Sequence, residues 1–272
     1  MERSRRSLRV DLVPGLHLMP FTKLSWRIPS KIKRSDFERL TREIYFSELL
    51  TVANKQRKCS TFHIRSDQLE MDLELLEDLK LIFVPINKVK RVSGFAHRFY
   101  EPSPGEPYDI YGAVSYKREY AKEFKKASLE GNDAKLGSLL GYPKCCINHF
   151  LRVWPQEYDP IWSAGLNTPH EKISEHEIEL TSVLPESNIL MRYFGIRAVP
   201  HLVCSFNCRE SQKFSKIFLE YIQDQDFLFE LLRSPVTWDC WRGLAIVKTP
   251  FFVGVTNSMT FKERHIIRWE GL

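Results

Sequence analysis

Apolar residues recur at the three- and four-residue spacing of a helix face through much of the chain, and short continuous apolar runs separate these segments. The first helical segment covers residues 35–55, where the periodicity predicts an amphipathic helix. Ser35 and Glu38 have the spacing of a capping box, so Ser35 is the predicted N-cap. The same pattern predicts further helices at 67–79 with Ser66 as N-cap, and at 117–129, 133–140, 143–154 and 188–194, and one long helix or two over 210–232.

Runs rich in β-branched and aromatic residues predict strands at 61–64 and 81–86. After Pro235 the pattern becomes β-rich. The intervening segment 155–186 is polar and contains four prolines, so it is predicted to be irregular. Helices and strands that occupy separate parts of the chain predict an α+β fold, with a helix-rich body, a small mixed sheet and a β-rich C-terminal segment.

The chain is predicted to divide near residue 110. Residues 1–110 are predicted to form an N-terminal α/β portion that binds a substrate or partner. Residues 111–272 are predicted to form a cysteine-motif domain with the C-terminal β segment, unless both portions make one continuous domain. The proline-rich segment 101–107 is the predicted boundary or mobile lid.

The chain has 272 residues, of which 43% are hydrophobic, enough for one large core or one core with a small module. Its apolar stretches fall short of the roughly 18 to 20 residues that a membrane helix needs. The basic N-terminus is not followed by the apolar segment of a secretory signal. The composition therefore predicts a cytoplasmic protein without a membrane partner.

Four of the six cysteines fall in two short segments that also contain histidine. They are Cys145 and Cys146 with His149, and Cys204 and Cys208 with His201. In a reducing cytoplasm, clustered cysteines indicate metal binding or thiol chemistry rather than disulfides. The two isolated cysteines, Cys59 and Cys240, are predicted to be structural.

The local sequence places both cysteine pairs at helix starts. Pro143 favours the first turn of a helix, where free N–H groups and the helix dipole stabilise a thiolate on Cys145 or Cys146. Adjacent residues of a helix point about 100° apart, so one of the two is predicted to be a ligand and the other a reactive thiol. Cys204 and Cys208 have the C-x3-C spacing of some iron–sulfur sites. A helix beginning near Cys208 would bring a second positive helix end to an anionic cluster.

Three chemical interpretations follow. A [4Fe–4S] cluster is favoured, held by three cysteines with one iron open to substrate, or by all four. Zinc is the alternative, with His149 or His201 completing the ligands. Without a metal, the Cys145/Cys146 pair would act as a nucleophile or sulfur carrier. The predicted cofactor ligands are Cys146, Cys204 and Cys208, the further metal ligands are Cys145 and His201, and the predicted catalytic residues are Cys145 and His149.

Cations and aromatic residues alternate from Lys88 to Lys126, and the whole chain carries a net charge of +6. Aromatic rings between cations can stack nucleotides or single strands, although a solvated helix face beside an aromatic core produces the same pattern. The partners predicted are a small or anionic substrate and, through this basic aromatic band, nucleic acid.

The segments Lys135–Cys146 and His201–Cys208 resemble the two signatures of a prokaryotic family, the domain of unknown function 483. The resemblance covers residues 130–270 and leaves 1–110 unmatched. It implies that the paired motifs form one site, but it implies no particular reaction.

Motifs for nucleotide triphosphates, dinucleotides and radical chemistry are missing from the sequence. The favoured function is therefore a cysteine-ligated metalloenzyme that carries out group transfer or sulfur-handling chemistry on a small or nucleotide-like substrate. The alternatives are a nucleic-acid-associated protein with a structural zinc site, and a metal-free thiol enzyme.

Overall fold

The computed structural model describes residues 23–28, 32–91, 101–156, 160–174, 177–233, 237–241, 244–249, 252–256 and 264–269. Within these ranges the helices are α1 (Arg34–Ala53), α2 (Leu69–Asp78), α3 (Arg118–Leu129), α4 (Asp133–Leu139), α5 (Lys144–Val153), α6 (Pro160–Leu166), α7 (Arg209–Leu219) and α8 (Gln225–Leu232). Short 3-10 helices cover Trp154–Gln156, Pro185–Ser187 and Leu190–Phe194.

Ten strands are described and form two sheets. They are β1 (Lys23–Ile28), β2 (Ser60–Arg65), β3 (Ile82–Lys90), β4 (Tyr108–Ser115), β5 (His170–Lys172), β6 (Glu177–Leu180), β7 (Thr237–Trp241), β8 (Leu244–Thr249), β9 (Phe252–Thr256) and β10 (Arg264–Trp269). The seven-stranded sheet has the order β10-β1-β9-β8-β7-β6-β5, and the three-stranded sheet has the order β2-β4-β3.

Strand direction follows from the connections. The pairs β5–β6, β6–β7, β7–β8 and β8–β9 are antiparallel, whereas β1 runs parallel to β10 and antiparallel to β9. The small sheet is wholly antiparallel. Eight helices accompany sheets whose strand pairs are mostly antiparallel, and four strands follow α8, so the predicted α+β class, with its β-rich C-terminal segment, is confirmed among the described residues.

The central strand β4 is buried on both faces. Val114 packs in an apolar cluster with residues of α1, β2 and α2, and the neighbouring Ala113 packs in a second cluster with residues of α3 and α4. Alternate side chains of a strand point to opposite faces, so helices cover this sheet on both sides. Cys59 is fully buried in the second cluster, as expected of a structural cysteine.

The largest cluster of buried residues joins α1 and α8 to the chain between residues 189 and 206. Leu40 and Ile44 supply the α1 face, and Val203 and Phe206 come from the second cysteine motif. Val203 and Phe206 are both fully buried. The motif is therefore anchored in the main core of the described structure on either side of Cys204.

Two predicted helix starts are wrong. The N-cap of α1 is Lys33 and that of α2 is Gln68, and neither Ser35 nor Ser66 caps its helix. Glu38, the expected partner of Ser35, instead accepts a hydrogen bond from Arg34 Nε at 2.7 Å. The Glu38 carboxylate, which a capping box would need, is therefore hydrogen-bonded to Arg34.

The segment 155–186 is more regular than predicted, since it contains α6, β5 and β6. The segment predicted as a helix at 188–194 contains a 3-10 helix, Leu190–Phe194. Gly195 caps its end in the left-handed backbone conformation, with a φ of 79°. Strand β4 spans residue 110, and the division into 1–110 and 111–272 stays a prediction. Cys240 belongs to β7, and part of the basic aromatic band, residues 92–100, lies outside the described residues.

Candidate metal centre

A tight turn positions the first cysteine pair. Helix α4 ends at Leu139, and Gly141 follows with a φ of 76°, a conformation that glycine adopts without strain. Pro143 then serves as the N-cap of α5. Cys145 and Cys146 are the second and third residues of α5, so both lie in its first turn as predicted.

The second cysteine motif is held by hydrogen bonds from its neighbours in space. Phe206 N–H donates to Thr168 Oγ1 at 2.8 Å, and Leu184 N–H donates to the Phe206 carbonyl at 2.8 Å. Ser187 Oγ donates to the Cys208 carbonyl at 3.0 Å. Cys208 is the N-cap of α7, and its sulfur accepts from Ser211 N–H at 3.4 Å. The two helix N-termini therefore meet at the cysteines, as the spacing predicts.

All four predicted cysteines come together. The Sγ atoms of Cys145, Cys146, Cys204 and Cys208 lie within 4.8 Å of one another and could hold a metal ion. The sulfur of Cys208 is 3.7 Å from that of Cys145 and 3.8 Å from that of Cys146, and these two neighbours are 3.9 Å apart. We expected only one of the adjacent pair at the site, but rotation about the side-chain bonds brings both sulfurs there.

The cysteine thiols lie close enough to shift one another's pKa values. Hydrogen bonds from Cys146 and Cys204 hold the pKa of the Cys208 thiol well below its usual value. Burial and the adjacent Cys208 charge raise the pKa of Cys145. Hydrogen bonds to Cys204 and Cys208, together with burial, raise that of Cys146. Cys208 is therefore the thiol of the group that loses its proton most readily. An ion bound to all four sulfurs must displace the protons of the others, so its affinity falls as the pH falls.

His201 lies behind the sulfurs and does not belong to the four-residue group. Its Nε2 atom is 2.8 Å from Ser211 Oγ, and that oxygen is 3.3 Å from Cys146 Sγ. Burial, together with the charges of Arg192 and Arg57, lowers the pKa of His201 to about 3, so the imidazole is neutral. His201 therefore reaches the sulfurs through the Ser211 hydroxyl, which it orients, and does not contact them directly. Its predicted role as a direct ligand has no support in this geometry.

Replacing Ser211 by alanine is expected to lower the free energy of unfolding by about 2 kcal/mol, because a buried imidazole nitrogen loses its partner. Metal content should stay the same, since no sulfur is removed. Chemical denaturation would measure the change. Ser215→Ala is the matched control: this buried hydroxyl donates only to the Gln212 carbonyl of its own helix, at 2.8 Å. Equal losses in the two variants would contradict the proposed link between His201 and the sulfurs.

His149 is a buried residue of α5 and lies outside the four-sulfur group. Its Nδ1 atom is 3.3 Å from Arg152 Nη2 and 3.2 Å from Asn167 Nδ2. The Asn167 amide also donates to the Cys204 carbonyl at 3.1 Å. Asn167 therefore links α5 to the second cysteine motif, a contact that the sequence did not reveal. The predicted catalytic roles of His149 and Cys145 stay predictions.

A cavity of about 240 Å³ adjoins the sulfurs. Cys146 forms part of its wall, beside apolar and aromatic side chains of α4, α5 and the small sheet. The polar groups that line it include Asp133, Arg192 and His201. Sequence reasoning did not find this cavity, because its walls come from distant segments that carry no shared motif.

Three cations at the start of the basic aromatic band have local partners. Lys90 binds Glu106 at 2.9 Å, and Arg91 binds Asp67 and Asp109 at 2.8 Å each. Lys88 stands 4.9 Å from the centre of the Tyr108 ring. The ion pairs offset the charges of Lys90 and Arg91, and nucleic-acid binding stays a prediction.

Among the described residues, every helix is too short or too polar to cross a membrane. Comparison with known proteins identifies no relative. No family model matches the chain, and neither a curated protein nor a solved structure does so. The resemblance to the domain of unknown function 483 therefore stays a prediction, and the function must be argued from the geometry of the four cysteines and the cavity beside them.

Proposed function

We propose that this is a zinc protein, in which one Zn²⁺ ion is held by Cys145, Cys146, Cys204 and Cys208. The spacing of the sulfurs is the observation that supports this. With a Zn–S bond of about 2.3 Å, the corners of a tetrahedron lie about 3.8 Å apart. The three sulfur–sulfur distances of 3.7, 3.8 and 3.9 Å match that value.

The same spacing argues against the iron–sulfur cluster that the sequence favoured. In a [4Fe–4S] cluster each cysteine binds a different iron, so its sulfurs stand farther apart than sulfurs that share one ion. A cluster would require the first turn of α5 to move away from Cys208. A single iron ion would fit the sulfurs equally well, so metal analysis decides between iron and zinc.

Four cysteine ligands leave no open position on zinc, and closed sites of this kind are structural. The ion would join the start of α5 to the start of α7 and to the motif at Cys204. Because Cys146 also forms part of the cavity wall, the zinc would fix that wall in place. We therefore propose a zinc-organised binding protein, in which the cavity, rather than the metal, meets the ligand.

Metal analysis of the full chain, purified without oxygen and without chelator, tests this proposal. We expect one zinc per chain, no acid-labile sulfide and no absorption band near about 400 nm, where thiolate-bound iron absorbs. Iron together with sulfide would overturn the zinc proposal and restore the cluster enzyme. A metal-free protein would overturn both and leave the Cys145/Cys146 thiols as the site.

A further inference from the structure

Cys145 is the most exposed of the four cysteines at the metal centre. It is exposed to solvent, whereas Cys204 is half-buried and Cys146 and Cys208 are only 2% and 6% exposed. Oxidants arrive from solvent, and the cysteines that react with them are accessible and have thiolate character. A bound zinc ion, which rests on the proposed function, holds its cysteine ligands as thiolates. Cys145 is therefore the ligand that an oxidant meets first.

A second sulfur lies within reach of Cys145. The Cys208 sulfur is 3.7 Å away, so a disulfide bond of about 2.05 Å requires the two sulfurs to approach by less than about 2 Å. Cys208 is also the N-cap of α7, and its sulfur accepts from Ser211 N–H at 3.4 Å. A sulfur at a helix start is favoured as the thiolate, the form that attacks another sulfur. Cys208 is therefore placed to react with an oxidised Cys145.

Cys146 is a poor partner for Cys145, although the two sulfurs are only 3.9 Å apart. The Cα atoms of consecutive residues lie about 3.8 Å apart, below the range of about 4.4–6.8 Å that disulfides usually span. Both residues belong to the first turn of α5, and a disulfide between them would distort that turn. The geometry therefore favours a bond from α5 to α7 over a bond within α5.

We propose that Cys145 is a site of oxidation by peroxide, and that its disulfide with Cys208 releases the zinc. The Cys145 thiolate attacks one oxygen of hydrogen peroxide, the O–O bond breaks, and Cys145 becomes a sulfenic acid as hydroxide leaves. The Cys208 thiolate then attacks the Cys145 sulfur, the S–O bond breaks, and a second hydroxide leaves as the disulfide forms. The two cysteines lose two electrons, and the peroxide that accepts them ends as two hydroxide ions.

Oxidation changes what joins the segments of the site. The disulfide leaves zinc with Cys146 and Cys204 alone, and because structural zinc sites have four ligands, the ion is lost. The starts of α5 and α7 stay joined through the disulfide. The ion no longer holds the motif at Cys204, nor does it fix Cys146 in the cavity wall. Peroxide would therefore loosen the cavity, and a thiol reductant with zinc would restore it.

A stoichiometric amount of hydrogen peroxide, added to the zinc-loaded full chain, tests this proposal. A coloured zinc indicator follows the released ion, and peptide mapping without reductant identifies the disulfide. We expect one zinc ion to be released for every two thiols lost, and Cys145 to be joined to Cys208. Dithiothreitol with added zinc should restore the original zinc content. Zinc retained after peroxide treatment, or a disulfide that omits Cys145 or Cys208, would overturn the proposal.

Two matched variants identify the residue that reacts first. Cys145→Asp and Cys204→Asp each leave three sulfurs and add one carboxylate, which is also a zinc ligand. Cys204→Asp keeps the reactive pair and should release zinc at least about ten times faster than Cys145→Asp in the same peroxide, because accessible thiolates oxidise fastest. Equal rates in the two variants would overturn the role of Cys145. Cys59→Ala, outside the four-sulfur group, should behave as the wild type does.

The disulfide map of the wild-type chain keeps the proposal testable if an aspartate variant does not hold zinc. Zinc is counted before peroxide is added, so the two proposals fail separately. A chain that contains one zinc ion and keeps it in peroxide refutes the oxidation proposal alone. A chain that contains no zinc but joins Cys145 to Cys208 refutes the zinc proposal and supports the assignment of the reactive pair.

Discussion

Cys208→Ser is expected to abolish zinc binding and to lower the melting temperature by on the order of 10 °C. At a free zinc concentration about 1,000 times the Kd, binding stabilises the folded state by about 4 kcal/mol. For a chain of this size, each kcal/mol shifts the midpoint by about 2–4 °C. Serine is chosen because its oxygen can still cap α7 in place of the sulfur that accepts from Ser211 N–H. The loss then reports on the metal and not on the helix cap.

Zinc content by mass spectrometry and melting curves by circular dichroism measure both effects. Cys59→Ala is the control, because this buried cysteine packs in the cluster beside β4 and lies outside the four-sulfur group. It should lose some stability through a small cavity but keep its zinc. A chelator should lower the melting temperature of the wild type and of the Cys59 variant, but not that of Cys208→Ser. Retention of one zinc by Cys208→Ser would contradict the assigned ligands.

Gly112→Ala is expected to destabilise the protein by about 3 kcal/mol, the upper end of the usual cost of overpacking. A Cβ atom at this position in β4 would lie 2.5 Å from the Phe83 ring and 2.6 Å from the Val84 carbonyl oxygen. The ring can shift, but the carbonyl belongs to the neighbouring strand and cannot move without breaking the ladder. Since β4 is the central strand of the small sheet and pairs with both β2 and β3, the loss of stability affects all three strands.

Urea denaturation measures this loss, and Gly131→Ala is its control. Gly131 has a φ of 64°, and a Cβ atom there would meet nothing within 4 Å. That variant should lose only about 1–2 kcal/mol, the cost of a left-handed conformation for alanine. A Gly112 variant no less stable than the Gly131 variant would show that β4 can relax away from β3.

The metal-centre residues could be predicted because their signals are local. Pro143 marks a helix start directly before Cys145, and the spacing of Cys204 and Cys208 requires no knowledge of the fold. The meeting of the two pairs was inferred from their shared composition, and the four-sulfur group confirms it. The α+β class could be predicted as well, because periodicity distinguishes the helical body from the strands after Pro235.

Features that depend on distances between separate segments of the chain could not be predicted from the sequence. The choice between one ion and a cluster depends on how far apart the cysteine sulfurs stand in the folded chain, which no motif encodes. The predicted cap at Ser35 failed because α1 begins one residue earlier, at Arg34, with Lys33 as its N-cap. The cavity is formed by residues as distant as Thr61 and Leu202, so only the folded structure brings its walls together.

The place of β1 in the large sheet has a consequence during synthesis of the protein on the ribosome. This strand pairs with β9 on one side and with β10 on the other, so it is made more than 200 residues before either of its neighbours. Contacts that close so long a stretch of chain form slowly. The four cysteines, between residues 145 and 208, are all available well before those strands leave the ribosome. The four-cysteine group can therefore assemble during translation before the sheet is complete, whereas the sheet must wait for β9 and β10.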